Sequence, residues 1–197
     1  MDFGRSFTYM FRQPGAGPKI LIGGLLFLLP VIGWLWIGGY MIRTVRVVMT
    51  GSEELPDWTD WGDLAMLGLS AWLGALIYGI PGAVLGRLGG PGAVASTLWG
   101  IVVAVVLPAA IMRFAAKGDF GAFFDINEIF GFMRRNLGDY LIIVLLGILV
   151  LIAASFGVVP LVIGVFFAYF WGTLVNAHLY GSLARRAGLP DQINRTS

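Results

Sequence analysis

The chain has 197 residues, 58% of them hydrophobic and 12% charged, with 13 Lys and Arg against 11 Asp and Glu and a formal net charge of +2; its mean hydropathy is +0.85. Soluble domains carry about 25% charged residues, so this composition excludes a water-soluble fold and makes lipid the solvent. The absence of Cys excludes disulfides, thiolate metal sites and cysteine nucleophiles.

In lipid every backbone polar group must be paired within the protein, and no alternating strand pattern is visible. An all-α integral membrane protein is therefore predicted. Residues 1–19 carry Arg5, Arg12 and Lys19 among Phe3, Phe7, Tyr9, Met10 and Phe11. They lack the apolar core and small-residue cleavage site of a signal peptide, so Met1 is expected to be the mature start. A short helix on an anionic membrane surface fits this segment, and so does a disordered tail.

Ile20 to Ile42 is apolar enough to cross once, but Pro30 and Gly33 stand in its middle, and proline removes a backbone donor and clashes with the preceding turn. Each half is then about 12 residues, ~18 Å long, against a hydrocarbon core of ~30 Å. The expectation is a first hairpin over residues 20–50, short or re-entrant. Residues 51–63 follow as an acidic, Trp-rich cytoplasmic loop.

Leu64 to Leu85 and Val94 to Phe114 are each long enough to span, joined by the turn sequence GRLGGPG at 86–92. They predict a second hairpin over 64–117. Leu137 to Phe156 and Leu161 to Tyr180, linked by 157–160, predict a third over 137–187. The four long runs are read as full spans. Between the last two hairpins, residues 118–136 place Phe123, Ile126, Phe130 and Met133 at helical spacing, with Asp125, Asn127, Glu128 and Arg134 elsewhere. That pattern predicts an interfacial amphipathic helix. Residues 188–197 form a short polar tail, and the whole chain is read as a single membrane domain.

Three hairpins with their open ends on one side gather every Lys and Arg there except Arg87. By the positive-inside rule that side is cytoplasmic, with both termini, in a multi-pass protein of the cell membrane. The acidic residues fall on the same side. Each hairpin also ends in arginine and then glycine: Arg46 to Gly51, Arg113 to Gly118, and Arg185 and Arg186 to Gly188. A threefold repeat is one reading of this. The other is that any such helix end favours Arg near its negative pole and Gly at a left-handed cap.

Glu53, Glu54, Asp57, Asp60 and Asp63 could coordinate a hard cation, although their spacing is not that of an EF-hand. The structural alternative is expected instead: Thr59 or Asp60 caps the Leu64 helix, Asp63 sits at its positive end, and Trp58 and Trp61 anchor the interface. A third reading pairs the carboxylates with Arg43 and Arg46. No metal and no cofactor is predicted.

Gly39-Tyr40, Arg43, Arg46 and Gly51, then Leu55-Pro56-Asp57-Trp58, Asp60 and Trp61-Gly62-Asp63-Leu64 form a fairly specific motif. Gly118-Asp119 to Phe124-Asp125 and Ala177-His178-Leu179-Tyr180-Gly181 continue it. On these residues the chain resembles a family of uncharacterised integral membrane proteins, the domain of unknown function four-zero-one-three. The resemblance covers nearly the whole chain. It implies a helical membrane protein and carries over no catalytic role.

The lone histidine, His178, cannot by itself build a zinc or haem site. Ser70 is the visible nucleophile for an intramembrane hydrolase dyad with it, without recognisable oxyanion donors; a helix-end histidine bonded to a neighbour is the structural reading. Gly164, Ala168, Gly172 and Asn176 recur every fourth residue, as do Gly100, Ala104 and Pro108, a spacing that lets membrane helices approach closely. Helix packing is expected of them, and a subunit interface is the alternative. No long span carries a charge at its middle, which lowers the expectation of coupled transport.

The function expected is non-enzymatic: an accessory subunit, scaffold or membrane organiser working through its cytoplasmic face. Its surface would comprise Tyr40, Arg43, Arg46, Leu55, Pro56, Asp57, Trp58, Asp60, Trp61, Asp63, Phe123 and Phe130. Expected partners are membrane lipids and a protein partner or second copy, with no nucleic acid. A small oligomeric transporter or channel component, lined by residues such as Ser70, Tyr78, Thr173 and Asn176, is the alternative, followed by the hydrolase.

Overall fold

The computed structural model describes residues 3–155 and 162–189, and every regular element among them is helical. In chain order these are α1 (Phe3–Thr8), a 3-10 turn over Tyr9–Arg12, α2 (Ala16–Phe27), α3 (Ile32–Met49), α4 (Trp61–Gly86) and α5 (Gly90–Lys117). A 3-10 turn over Phe120–Phe124, α6 (Ile126–Arg135), α7 (Leu137–Ser155) and α8 (Val162–Arg186) follow. Three of them, α4, α5 and α7, are long and apolar enough to cross a membrane. The expected link at 157–160, and the tail from residue 190, lie outside the described residues.

The apolar run from Ile20 is interrupted where proline predicts it. Helix α2 stops at Phe27, Val31 stands at φ 68°, and α3 begins at Ile32. Gly33 permits the return, because a Cβ there would overlap the Leu26 carbonyl, and the Trp34 indole N–H donates to the Phe27 carbonyl at 3.2 Å. At the far end, Lys19 Nζ donates to the Leu55 carbonyl at 2.6 Å and Gln13 Oε1 accepts from the Leu55 amide at 2.7 Å. The start of α2 is thus tied to chain just past the end of α3, and the two helices run antiparallel.

Helix α3 is the hub, packed by α2, α4, α5 and α8. Its backbone meets α4 directly: a side chain on Gly39 would overlap the Leu64 carbonyl, and one on Gly68 the Leu35 carbonyl. Its other flank meets α8, where Gly181 lies against Val45 and Val48. Of the expected stripe on α8, Gly172 lies against Val150 and Ala154 of α7, and Asn176 against Gly147. On α5 the stripe holds less well, since Pro108 is buried but Gly100 has open space beside it. Helices α4 and α5 bury little of their apolar windows within the protein, 22% in each, as suits helices long and apolar enough to cross a membrane.

Two boundaries differ from expectation. Helix α4 starts at Trp61, three residues before Leu64; Asp60 occupies the cap position in a left-handed conformation (φ 53°) and its side chain makes no capping bond. The segment before α7 is not one continuous helix. Asp125 breaks it, so Phe123 belongs to the 3-10 turn and the helical phase restarts at Ile126. The buried face of α6 is therefore Ile129, Phe132 and Met133, packed near buried Phe123, while Ile126 and Phe130 face outward.

Candidate functional site: the charged end of the bundle

The ends of α3, α5 and α8 carry arginines, and the starts of α2, α4 and α7 lie beside them. The loop after α3 closes over this end because its aromatic residues find apolar neighbours. The Tyr40 ring stacks on Trp58 with centroids 4.1 Å apart, and the Tyr40 hydroxyl donates to the Pro56 carbonyl at 2.8 Å. The Trp58 indole donates to the Lys19 carbonyl at 2.9 Å, and Trp58 also stacks on Trp61 at 5.6 Å. Leu55 is 2% exposed beneath this cover. Trp61 remains 40% exposed, while its carbonyl accepts from the Trp36 indole at 3.1 Å.

Charges fasten the same loop. Arg43 pairs with Asp63 at 2.8 Å and donates to the Thr59 carbonyl at 2.8 Å, and Lys19 pairs with Asp57 at 2.8 Å. Of the two expected arginine partners for the carboxylates, Arg43 takes that role. Arg46 turns away and donates through Nε to the Ala115 carbonyl, at 2.9 Å, near the end of α5. Because Asp57 and Asp63 are well exposed, each pair contributes under about 1 kcal/mol. Their effect is to fix where the loop lies.

Arg113 is different, with a side chain only 6% exposed. It reaches Asp125 at 3.3 Å and Glu128 at 3.6 Å, and Lys117 shares Asp125 at 3.6 Å. The Nε atom of Arg113 has no partner. These contacts anchor the start of α6 to the end of α5. Across the bundle Arg186 pairs with Asp139 at 3.1 Å, joining the end of α8 to the start of α7. These ion pairs join neighbouring ends of the bundle, and Arg87 sits in the turn between α4 and α5.

His178, 4% exposed, lies where α1 crosses α8. Its Nδ1 is 2.9 Å from Ser6 Oγ and 3.4 Å from Ser182 Oγ, its Nε2 is 3.8 Å from Glu53 Oε1, and its ring is 4.4 Å from that of Tyr9. The Tyr9 hydroxyl donates to the Leu174 carbonyl at 3.3 Å, and burial, ahead of Tyr40 and Glu53, pushes the phenol above its ordinary range. The serines beside His178 are thus Ser6 and Ser182, not Ser70. A serine, a histidine and a carboxylate in file resemble a hydrolase triad, but Ser6 is 2% exposed, and a nucleophile must be reachable. The file locks α1 and the acidic loop onto α8. No periodicity links Ser6 to His178, 172 residues apart, so sequence reasoning had no signal for this contact.

The five acidic residues of the loop do not converge. Glu53 faces His178, Asp57 takes Lys19 and Asp63 takes Arg43. Among the described residues no three His, Asp or Glu gather as metal ligands.

No solved structure matches the chain. An uncharacterized protein of Methanocaldococcus jannaschii is 23% identical over 152 residues, covering 68% of this chain and 53% of that protein. The chain spans about half the length of this curated relative. A family model described as Protein of unknown function (DUF4013) matches residues 22–166, and the motif from Gly39 to Leu64 lies inside that match. With most of its length so matched, the chain belongs to the DUF4013 family.

Proposed function

We propose that this protein is a non-enzymatic accessory subunit, scaffold or membrane organiser of the cell membrane, acting through the charged end of its bundle. In this reading the chain is one membrane domain of three helical hairpins, the first short, with α8 spanning beside α4, α5 and α7. The charged end faces the cytoplasm, where an excess of Lys and Arg belongs, and α6 lies in the interface.

One observation carries the reading. The loop and α6 are held in fixed positions by Tyr40, Arg43, Lys19 and Arg113, yet Trp61, Phe124, Ile126 and Phe130 remain between 36% and 47% exposed. Ordered aromatic and aliphatic groups on a charged rim suit contact with lipid headgroups or a partner surface. The bundle interior, filled by Tyr40, Tyr140, Phe170, Met112 and Leu174, supports this role over a conduit. Sealed Ser6 supports it over an intramembrane hydrolase.

The test is native mass measurement of the chain extracted gently from its own membranes. A retained protein partner or second copy is expected, with retention reduced by Trp61→Ser combined with Phe130→Ser. A bare monomer carrying neither partner nor lipid overturns the proposal.

A further inference from the structure

Helix α5 is opened at one point. Pro108 has no amide hydrogen, so the Ala104 carbonyl loses the donor one turn on. The Tyr140 hydroxyl of α7 enters next to it, accepting from the Ala109 amide at 3.1 Å and donating to the Val105 carbonyl. A side chain inserted into the ladder bends a helix, and beside this point lies a cavity of about 180 Å³ between α5, α7 and α8.

Asn176 of α8 lines the cavity, is 5% exposed, and its Oδ1 has no hydrogen-bond partner. Gly147 of α7 makes room for that oxygen, since a Cβ there would stand 2.6 Å from it. A buried carboxamide oxygen left unpaired is costly, and hydrocarbon offers no water to relieve it. Close packing of α7 on α8 does not require an amide, because Gly172 against Val150 already provides it one turn earlier. Tyr180, one turn after Asn176, lines the same space. The wall toward lipid is Ile148 and Leu151, which are 42% and 48% exposed.

We propose that this crevice binds an uncharged membrane lipid alcohol. Its hydroxyl donates to Asn176 Oδ1 and accepts from the Tyr180 phenol, and its chain leaves sideways past Ile148 and Leu151. The wall carries no ionisable group other than that phenol, which selects against charged heads. A cavity of ~150 Å³ holds a molecule the size of benzene, so this one admits a head and the first part of a tail rather than a whole lipid. The inference is independent of any role for the charged end.

The experiment uses the full chain in detergent micelles, titrated with oleyl alcohol or with oleyl methyl ether, which keeps the acceptor oxygen and lacks the donor. Native mass spectrometry reads the retained adduct. Wild type is expected to hold the alcohol about tenfold more tightly than the ether. Asn176→Leu is expected to abolish that preference, and Ile148→Trp, at the lipid-facing mouth, to exclude both compounds. Equal retention of alcohol and ether by wild type overturns the proposal, as does a preference that survives in Asn176→Leu. If Asn176→Leu does not fold, wild-type levels of alcohol binding by Ile148→Trp overturn it equally.

Discussion

Gly181→Ala tests whether α8 meets the hub helix as closely as described. A methyl group on residue 181 would stand 2.6 Å from Val48 Cβ, 2.8 Å from the Val45 carbonyl oxygen and 2.9 Å from Val48 Cγ1. Two of those atoms belong to a stiff β-branched side chain and one to backbone, so α3 and α8 must part by roughly 1 Å. A gap of that size forfeits a quarter to a half of the dispersion well for atoms across it. With about thirty such pairs at ~0.15 kcal/mol each, the loss is about 1–2 kcal/mol, to which overpacking strain adds about 1 kcal/mol. Alanine in place of glycine inside a helix returns about 1 kcal/mol. Gly79→Ala isolates that gain, because nothing lies within 4 Å of a Cβ at residue 79. The assay is thermal unfolding of both variants in the same detergent. Gly181→Ala is expected to fall about 2–3 kcal/mol below Gly79→Ala, a gap of about 4–12 °C for a chain of this size. Coincident melting of the two variants would refute the close approach.

Neutralising both Asp125 and Glu128 (D125N with E128Q) strands the buried Arg113 guanidinium and is expected to cost about 1–3 kcal/mol, after allowance for the exposure of the two carboxylates. Arg113→Met, which removes the buried charge itself, is expected to cost less; the same melting assay ranks the two. Burial raises the Tyr9 phenol above its ordinary pKa of about 10, so folding favours the protonated form. That contribution is intact below about pH 10 and is lost as pH rises further, so melting temperature should fall from there upward, and Tyr9→Phe should reduce the slope. Because the chain has no Cys, single cysteines report sidedness without background. Ser52→Cys is expected to react with an impermeant maleimide only in inverted vesicles, and Leu88→Cys only in intact cells; labelling of both from one side would refute the three-hairpin topology.

Much of the architecture was legible because proline, glycine and charge act locally. Pro30 stops α2 without reference to tertiary structure, and the long apolar runs that become α4, α5 and α7 require only counting. The Tyr40 to Asp63 motif was visible as a unit, yet its mechanism was not. Ring stacking of Trp58 on Tyr40 and the turning of Arg46 toward α5 depend on which helix lies alongside, which spacing does not encode. The stripe from Phe123 to Met133 spans two elements for a related reason: one residue, Asp125, ends the 3-10 turn and resets the helical phase. Ser6 with His178, and Asn176 over Gly147, join distant segments in ways no periodic pattern marks.

The order in which the chain emerges meets a difficulty at α3. The helix that α4 and α8 grip on opposite flanks is also the one bearing Arg43, Thr44 and Arg46, and among the described residues α4, α5 and α7 are the helices apolar enough to enter hydrocarbon on composition alone. A segment of that polarity is poorly retained by lipid unless companions surround it. One flank receives α4 directly afterwards in synthesis, but the flank of Val45 and Val48 waits for Gly181, more than a hundred residues later. The centre of this bundle is accordingly completed last, and substitutions in α8 should reduce the yield of inserted protein even where they leave the finished fold intact.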